Sequence, residues 1–305
     1  MKQLIGLYKI SRPFNALSGA IAVILGGYVA GTGEWLSVLA AALTTFLITG
    51  SANAWNDYLD IEIDKINQPQ RALPSGMISP RTAVLFSLLL NALALIIAAF
   101  INVGSFVIVL FFSLMLYIYS WKLKSTVLVG NMTVATITAM TVILGGVAAG
   151  NVRPTLWLAV IIGVSILGRE ILKTIADYEG DLSQQVRTIA TVWGKRRARI
   201  AFYLITGTAI CVMMVPYLRN LYLDQLALCS INQGVCQVYN QFLAFLPDYR
   251  PAYAYIVALG VFPVVVYVML QVRRDSTGRQ LERLSQIMKY DFLVWFVAVI
   301  LGATS

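Results

Sequence analysis

Apolar positions run in long blocks along this chain and do not form the one-sided stripes of soluble amphipathic helices. Stretches such as 16–30 and 88–101 are apolar around every helical face, and a membrane span needs roughly 20 apolar residues. The pattern predicts an all-α integral membrane protein with about nine transmembrane helices. The predicted spans are 13–31, 36–57, 80–101, 103–121, 130–150, 155–177, 197–218, 251–272 and 286–303.

Composition and charge support a multi-pass protein of the cell membrane. Charged residues make up 12% of the chain, about half of the roughly 25% that is usual in soluble domains. With nine spans and a cytoplasmic N-terminus, most of the 23 Lys and Arg residues fall in cytoplasmic segments. This positive-inside bias explains the net charge of +9 without a nucleic-acid partner. The charges of Lys2, Lys9 and Arg12 precede the first span without a cleavage pattern, so we expect that helix to be retained.

Polar segments between the spans are mostly short. Three longer ones are predicted as cytoplasmic loops, at 61–79, 179–196 and 273–285, and the first contains too many Pro and Gly residues to be one continuous helix. A fourth, 219–250, is placed outside and has no assigned role. It holds Cys229 and Cys236, for which a short disulfide and two free thiols remain alternatives. Cys211 lies in an apolar run and is expected to be packing.

The predicted second and sixth spans resemble each other at their C-terminal ends. Each ends in a run of acidic residues that is followed by a polar loop. This echo predicts two four-helix pseudo-repeats plus a ninth helix around a central cavity, in one domain over residues 1–305. The chain has no histidine, which excludes Ser-His-Asp and Cys-His catalysis and any histidine base.

Eight of the 14 acidic residues lie in these two clusters. On a helical wheel of about 100° per residue, the first cluster places one amide and three carboxylates on a single face. These on-face residues are Asn53, Asp57, Asp60 and Asp64, and Glu62 lies opposite. The second cluster likewise has a shared face, formed by Glu170, Lys173, Asp177 and Asp181, and Glu179 lies opposite.

Two stripes of carboxylates repel unless a cation neutralises them, and Mg²⁺ with its oxygen ligands suits them when it bridges to a diphosphate. The metal would act as a Lewis acid that stabilises a departing anion. Nearby cations would complete the clamp: Lys65, Arg71, Lys124, Lys173 and Arg187. The alternative is that these aspartates cap helices and pair with Lys and Arg at the membrane surface. It explains a single aspartate better than it explains all five aspartates of the two clusters.

Aromatic residues at the end of the fourth span allow two interpretations. Tyr117, Tyr119 and Trp121 precede Lys122 and Lys124, either as an interfacial aromatic belt or as a cavity wall that shields a carbocation.

At these residues the sequence resembles the UbiA superfamily of intramembrane prenyltransferases. The first family signature, N-D-x-x-D-x-x-x-D, matches Asn56, Asp57, Asp60 and Asp64, and the second, D-x-x-x-D, matches Asp177 and Asp181. A further family element, Y-S-x-x-L-K, matches Tyr119, Ser120, Leu123 and Lys124, and the following G-N matches Gly130 and Asn131.

The resemblance implies Mg²⁺-dependent transfer of an isoprenoid from its diphosphate to a hydrophobic or amphiphilic acceptor in the membrane, with the site facing the cytoplasm. The implied ligands of Mg²⁺–diphosphate are Asn56, Asp57, Asp60, Asp64, Asp177 and Asp181. The implied diphosphate contacts are Arg71, Lys124 and Lys173, and the implied pocket residues are Asn53 and Tyr119.

The acceptor is less defined. The stretch from Ile63 to Arg71 is similar to digeranylgeranylglyceryl phosphate synthases and to chlorophyll synthases, and the run Arg169–Lys173 favours the former. This favours geranylgeranyl transfer to geranylgeranylglyceryl phosphate, with an aromatic or quinone precursor or chlorophyllide as alternatives. An anion transporter is the non-enzyme alternative, and it is disfavoured because the acidic residues lie at span ends. The D-G-x-x-A-R signature of phosphatidyl transferases is absent.

Overall fold

The computed structural model describes residues 2–220, 234 and 249–303, and thirteen α-helices account for nearly all of them. They are α1 (Lys2–Ser11), α2 (Pro13–Val29), α3 (Trp35–Leu59), α4 (Ile61–Asn67), α5 (Pro80–Ile101), α6 (Val103–Trp121), α7 (Val129–Ala148), α8 (Thr155–Ala176), α9 (Tyr178–Ser183), α10 (Ile189–Trp193), α11 (Lys195–Asn220), α12 (Pro251–Gln271) and α13 (Gly278–Gly302).

Eight of these helices are long and apolar enough to cross a membrane, and α2 is a shorter apolar helix of 17 residues. Within the described part of the chain, each of the nine predicted spans coincides with one of these nine helices. The all-α, multi-pass membrane fold is therefore confirmed.

The last span begins earlier than predicted, so the second half of the predicted loop 273–285 is wrong. Thr277 and Gln280 form a capping box, in which the Thr277 hydroxyl accepts from the Gln280 N–H and the Gln280 side chain accepts from the Thr277 N–H. Leu281, Leu284 and Met288 then bury one face of the new turns. The charged residues between them had suggested a loop, but they lie on the exposed face of a helix.

The other polar segments agree with the predictions in part. In 61–79, α4 ends at Asn67 and turns follow to Pro80, so the segment is not one helix, as predicted. The segment 179–196 is not a simple loop, because it contains most of α9 and all of α10, which a capping box between Thr188 and Thr191 starts.

The cysteine predictions have different outcomes. Cys211 is a free thiol on the exposed side of α11, so its predicted role in packing is wrong. The question of Cys229 and Cys236 lies outside the described residues, as does most of 219–250.

The chain divides into two compact units, the first formed by Met1–Lys124 with Met140–Val152 and the second by Ser125–Ala139 with Arg153–Ser305. Each contains four whole apolar helices, and α7 is divided between them, so the predicted order of two four-helix repeats followed by a ninth helix remains a prediction. The predicted single domain and central cavity remain predictions.

Close backbone contacts hold the first unit together. A Cβ atom on Gly26 of α2 would lie 2.1 Å from the Val142 carbonyl oxygen of α7, and one on Gly145 would lie 2.0 Å from the Val23 oxygen. Only glycine permits this approach, which suits a membrane, where close packing replaces the hydrophobic effect in joining helices.

The second unit has a continuous apolar core beneath the end of α8. Ile171 and Leu172 of α8 pack with Phe202 of α11, Val268 of α12 and Leu281 of α13, and all of these side chains are buried. This core packs beneath the turn in which the second aspartate motif begins.

Candidate active site

The first aspartate motif follows a break between two helices in the first unit. α3 ends at Leu59 and α4 begins at Ile61, but the hydrogen bonds from Asp60 N to Asn56 O (2.9 Å) and from Asp64 N to Asp60 O (2.8 Å) preserve the helical phase across the junction. The predicted face therefore persists. Asp57 and Asp64 are buried and Asp60 is half-buried, whereas Glu62 is exposed.

Cations pair directly with the aspartates of this motif. Arg12 binds Asp57, and Arg71 lies 2.6 Å from Asp64 and 3.7 Å from Asp57. Lys124 binds Asp60 at 2.5 Å. The three carboxylates and three cations thus lie around the α3–α4 junction in two groups, one of Arg12, Asp57, Arg71 and Asp64 and one of Lys124 and Asp60. The formal charges of this network cancel.

The amides of α3 support this network from two sides. Asn56 Nδ2 donates to Asp60 Oδ2 at 2.8 Å, which fixes the carboxylate that Lys124 also binds. Asn53 Nδ2 donates to the Ser11 carbonyl oxygen at 3.0 Å and so joins α3 to the end of α1.

Arg12 is the residue that the sequence argument missed, since it counted only as a topological charge. It connects α1 to α2 in a left-handed conformation, φ 48° and ψ 62°, directly before Pro13. Its partner Asp57 is 45 residues away. The only local signal is a cation immediately before the Pro that opens the first apolar helix.

Other predicted clamp residues lie elsewhere. Lys65 pairs with Glu62 at 2.7 Å on the exposed side of α4, so it does not join the network around the aspartates. Arg187 is exposed between α9 and α10.

The aromatic residues of α6 have different surroundings, and the cavity-wall interpretation remains a prediction. Trp121 is exposed with the Lys122 ammonium over its ring, as in an interfacial belt. Tyr117 instead bonds the hydroxyls of Ser51 and Ser87 at 2.9 and 2.8 Å, and its ring lies against Trp55. Tyr119 is half-buried, and its predicted place in the pocket remains a prediction.

The second motif repeats the backbone scheme in the second unit. α8 ends at Ala176, α9 begins at Tyr178, and Asp181 N donates to Asp177 O at 2.8 Å across the junction. Asp177 is exposed and Asp181 half-buried, while Glu179 is exposed and pairs with Lys195 at 2.7 Å. Both glutamates that the wheel placed off the shared face are therefore exposed.

Other ion pairs in this unit form around a glutamate about two turns earlier on α8. Glu170 is buried and binds Arg169 at 3.1 Å and Lys173 at 3.2 Å. Arg169 also donates to the Ser285 carbonyl oxygen of α13 at 3.1 Å. Lys173, the predicted diphosphate contact, is thus held by Glu170 with its ammonium partly exposed.

The Asp177 carboxyl has a raised pKa, although the residue is solvent-exposed. Desolvation by the surrounding protein is the main cause, the carboxylates of Glu282 and Glu170 add to it, and Lys173 opposes it. A bound cation would reverse this shift, because it favours the ionised form.

The donor set of the first motif fits Mg²⁺. One Arg71 nitrogen lies 3.7 Å from Asp57 Oδ1 and 2.6 Å from Asp64 Oδ2, so these oxygens are at most about 6.3 Å apart. Mg²⁺ binds oxygen at about 2.0–2.1 Å and retains waters, so small side-chain shifts would let the two carboxylates share ions. Among the described residues no three acidic side chains form a preformed ion site, and the arginines lie between the carboxylates instead.

Comparison with known proteins gives a consistent result. The profile of the UbiA prenyltransferase family matches residues 19–297. The digeranylgeranylglyceryl phosphate synthase of Thermococcus kodakarensis is 33% identical over 237 residues, which cover 77% of this chain and 85% of that protein.

Two solved structures share the fold. One, described as giving structural and mechanistic insights into digeranylgeranylglyceryl phosphate synthase in membranes, has a TM-score of 0.77, 26% identity and 99% coverage of both chains. A UbiA homologue from Archaeoglobus fulgidus, bound to DMAPP and Mg²⁺, has a TM-score of 0.62 and 16% identity, and covers 95% of this chain and 99% of its own. With both aspartate motifs in place and most of its length matched, the chain belongs to the UbiA prenyltransferase family.

Proposed function

We propose that this protein transfers a geranylgeranyl group from its diphosphate to geranylgeranylglyceryl phosphate in an Mg²⁺-dependent reaction. The observation that carries the proposal is the network of three aspartates and three cations at the α3–α4 junction, which offers metal ligands and diphosphate ligands in one place. The relatives named digeranylgeranylglyceryl phosphate synthase support this acceptor.

In the first unit, the aspartates and Asn56 would hold the Mg²⁺–diphosphate. Arg71 and Lys124 would then exchange their carboxylate partners for diphosphate oxygens, because a guanidinium or ammonium binds either anion. Arg12 belongs with them, since it contacts the same Asp57 carboxylate as Arg71. Each cation would keep one anionic partner throughout. The net charge of the site would therefore change little if Mg²⁺ and diphosphate entered together as a nearly neutral unit.

In the second unit, Asp177 and Asp181 would provide further metal ligands and Lys173 a further diphosphate contact. Glu170 holds the Lys173 ammonium near the end of α8 before substrate arrives. Asn53 and Tyr119 would line the space for the reacting end of the prenyl chain. The chain would act as one domain over residues 1–305, with this chemistry facing the cytoplasm, as the positive-inside bias predicts.

When bound, Mg²⁺ would supply Lewis-acid stabilisation of the departing diphosphate. The cations Arg12, Arg71 and Lys124 would share the negative charge that develops as the carbon–oxygen bond of the donor breaks. The acceptor hydroxyl oxygen would form the new bond to the carbon that the diphosphate leaves, and its proton would pass to the released diphosphate. The apolar helices would keep competing water away from the carbocation.

The test is turnover by purified full-length protein in detergent or nanodiscs. Geranylgeranyl diphosphate and geranylgeranylglyceryl phosphate should release pyrophosphate and form the prenylated lipid in Mg²⁺ and not in EDTA. Parallel reactions with 4-hydroxybenzoate, homogentisate and chlorophyllide rank the acceptors. Asp275→Asn, an exposed aspartate in the second unit, is the matched control and should keep full activity.

Two outcomes would replace the proposal. Product from an aromatic acceptor or chlorophyllide alone would keep prenyl transfer and change the substrate. Metal-dependent uptake of an anion into liposomes, with no product from any acceptor, would identify a transporter.

A further inference from the structure

The second unit contains a small cavity that none of the proposed prenyl-transfer residues lines. Its volume is about 30 Å³, and its walls come from α8, α11, α12 and α13. Apolar side chains such as Met288 and Trp295 form most of the wall. Three polar side chains interrupt it: Ser165, Thr206 and Asp291.

These three side chains are buried and lack partners. Their relative exposures are 6% for Ser165, 2% for Thr206 and 7% for Asp291. Within the described part of the chain, Ser165 Oγ, Thr206 Oγ1 and Asp291 Oδ1 have no hydrogen-bond partner. Buried polar atoms nearly always have one, so three orphans around one cavity indicate a missing occupant.

The hydroxyls of Ser165 and Thr206 do not make the hydrogen bond that is common for Ser and Thr in helices. Ser and Thr in helices commonly donate to a carbonyl one turn earlier. Thr208, also on α11, does so to Leu204 O at 2.9 Å, and Thr174 on α8 does so to Ile171 O at 2.8 Å. Ser165 and Thr206 instead leave their hydroxyl oxygens to the cavity.

Packing holds one of these hydroxyls in place. A Cβ atom on Gly168 of α8 would lie 2.9 Å from Thr206 Oγ1, so the glycine leaves just enough room for the threonine. On the opposite wall, a turn of π-helix over Val257–Val261 ends at the cavity-lining Val261. Such π turns occur often at functional sites.

Asp291 is buried on the membrane-spanning helix α13, just before its apolar run begins. α13 begins at Gly278, whose Cβ position would be 2.5 Å from the Ala176 carbonyl oxygen at the end of α8. Asp291 follows thirteen residues later, about 20 Å along the helix at 1.5 Å per residue. Buried ionisable residues within a spanning helix are costly and usually functional. No cation among the described side chains forms an ion pair with it.

We propose that this cavity is a binding site for a monovalent cation of the size of Na⁺. The Asp291 carboxylate and the hydroxyls of Ser165 and Thr206 would be its ligands, and water would complete the shell. A volume of about 30 Å³ accommodates roughly two waters, or one small ion with one water. A single positive charge neutralises one carboxylate, whereas a divalent ion would leave an uncompensated charge in a low-dielectric interior.

The test is the thermal unfolding of purified full-length protein in detergent, without substrate. NaCl replaces choline chloride at constant ionic strength, and the melting temperature is followed by tryptophan fluorescence, to which Trp295 in the cavity wall contributes. We expect a saturable rise in Tm with Na⁺. A parallel titration by ²³Na NMR should show line broadening that the protein causes.

Variants assign the effect to the cavity. Asp291→Asn should abolish the Na⁺ response, and Thr206→Val should weaken the apparent Na⁺ affinity about tenfold, as the loss of one neutral ligand implies. Ser165→Ala should act like Thr206→Val and provides a second test if Asp291→Asn does not fold. Asp275→Asn, with its exposed carboxylate, should respond like the wild type.

Equal melting in NaCl and choline chloride would overturn the proposal and identify Asp291 as a neutral acid that bonds ordered water. A full Na⁺ response in Asp291→Asn and Thr206→Val would place the sodium effect elsewhere. Neither result depends on prenyl-transfer activity, so the proposal can fail while the proposed function stands.

Discussion

The two aspartate motifs have the same backbone design and different electrostatics. In each, a long helix ends, one aspartate (Asp60 or Asp177) occupies the junction, and the short helix that follows carries the next aspartate. In the first unit, arginine and lysine bind the motif aspartates themselves. In the second unit, the described ion pairs fall on the neighbouring glutamates, Glu170 and Glu179.

This difference separates two tasks that a metal–diphosphate site must perform. The first motif has its charge already balanced, so a metal must displace cations, which remain available for the diphosphate. The second motif has its nearest cations held on glutamates, and the raised pKa of Asp177 shows a carboxylate that would gain from a cation.

The largest expected effect tests what the motifs share. Asp57→Asn and Asp181→Asn should each lower prenyl transfer by about 100-fold or more, since the loss of about 3 kcal/mol of metal stabilisation at 1.36 kcal/mol per tenfold gives this factor. Pyrophosphate release at saturating Mg²⁺ measures it.

The matched controls are the exposed glutamates of the same two segments. Glu62→Gln and Glu179→Gln should stay within about twofold of the wild type, because surface ion pairs contribute little. Equal losses in the aspartate and glutamate variants would contradict the assignment of faces.

The next largest effect is on stability, and it should differ between an ion pair of the first motif and an ion pair of the second unit. Arg71→Met leaves the buried Asp64 without its partner and should lower the free energy of unfolding by about 2 kcal/mol in EDTA, less than for a fully buried pair. Lys195→Met removes an exposed pair with Glu179 and should cost less than about 0.5 kcal/mol. Thermal unfolding in detergent measures both.

Repeating the stability measurement of Arg71→Met with Mg²⁺ tests whether the first motif binds the metal. Added Mg²⁺ should restore part of the stability that Arg71→Met loses, because the ion replaces the missing charge beside Asp64 and Asp57. No recovery with Mg²⁺ would argue against metal binding by the first motif.

A third, smaller effect concerns the residue that the sequence argument missed. Arg12→Met should raise KM for the prenyl diphosphate by about tenfold, equivalent to one charge-assisted contact of about 1.4 kcal/mol, with a smaller change in kcat. Arg12→Lys should recover part of this, since it keeps the charge. An unchanged KM in both variants would limit Arg12 to a structural partner of Asp57.

The smallest effect is a pH dependence in the second unit. The folded protein raises the Asp177 pKa above its ordinary 3.8, so ionisation of this group opposes folding. Without Mg²⁺, Asp177→Asn should be more stable than the wild type at neutral pH, by about 0.5 kcal/mol or less after allowance for exposure. The difference should vanish as the pH falls through the raised pKa towards 3.8. Unfolding measured from pH 4 to 7 tests this, and a difference that grows on acidification would contradict it.

Local patterns in the sequence were sufficient for much of this description. Span positions follow from hydropathy, and the exposure of Glu62 and Glu179 follows from helical phase, which survives both helix junctions. Arg12 could not be assigned in this way, because its contact with Asp57 depends on tertiary packing and on a left-handed backbone that arginine rarely adopts. The early start of α13 was readable in principle, since Thr277 and Gln280 have capping-box spacing, but the charged residues that follow obscured it.

Asp291 shows a second limit of the sequence argument. It is a lone acidic residue in an apolar span, and only the structure reveals that Ser165 and Thr206 from other helices share its cavity. The motif aspartates are close together in the sequence, whereas Ser165, Thr206 and Asp291 are close together only in the folded protein.

The shortness of α2 has a consequence for the membrane itself. Its 17 residues span about 26 Å at 1.5 Å per residue, against a hydrocarbon core of roughly 30 Å. In a bilayer, this hydrophobic mismatch would draw the lipid headgroups inward beside the helix. Arg12 sits at its entrance with its guanidinium on Asp57, so a thicker bilayer would pull on the ion pair that steadies the first motif. We therefore expect lipids with longer acyl chains to weaken this ion pair.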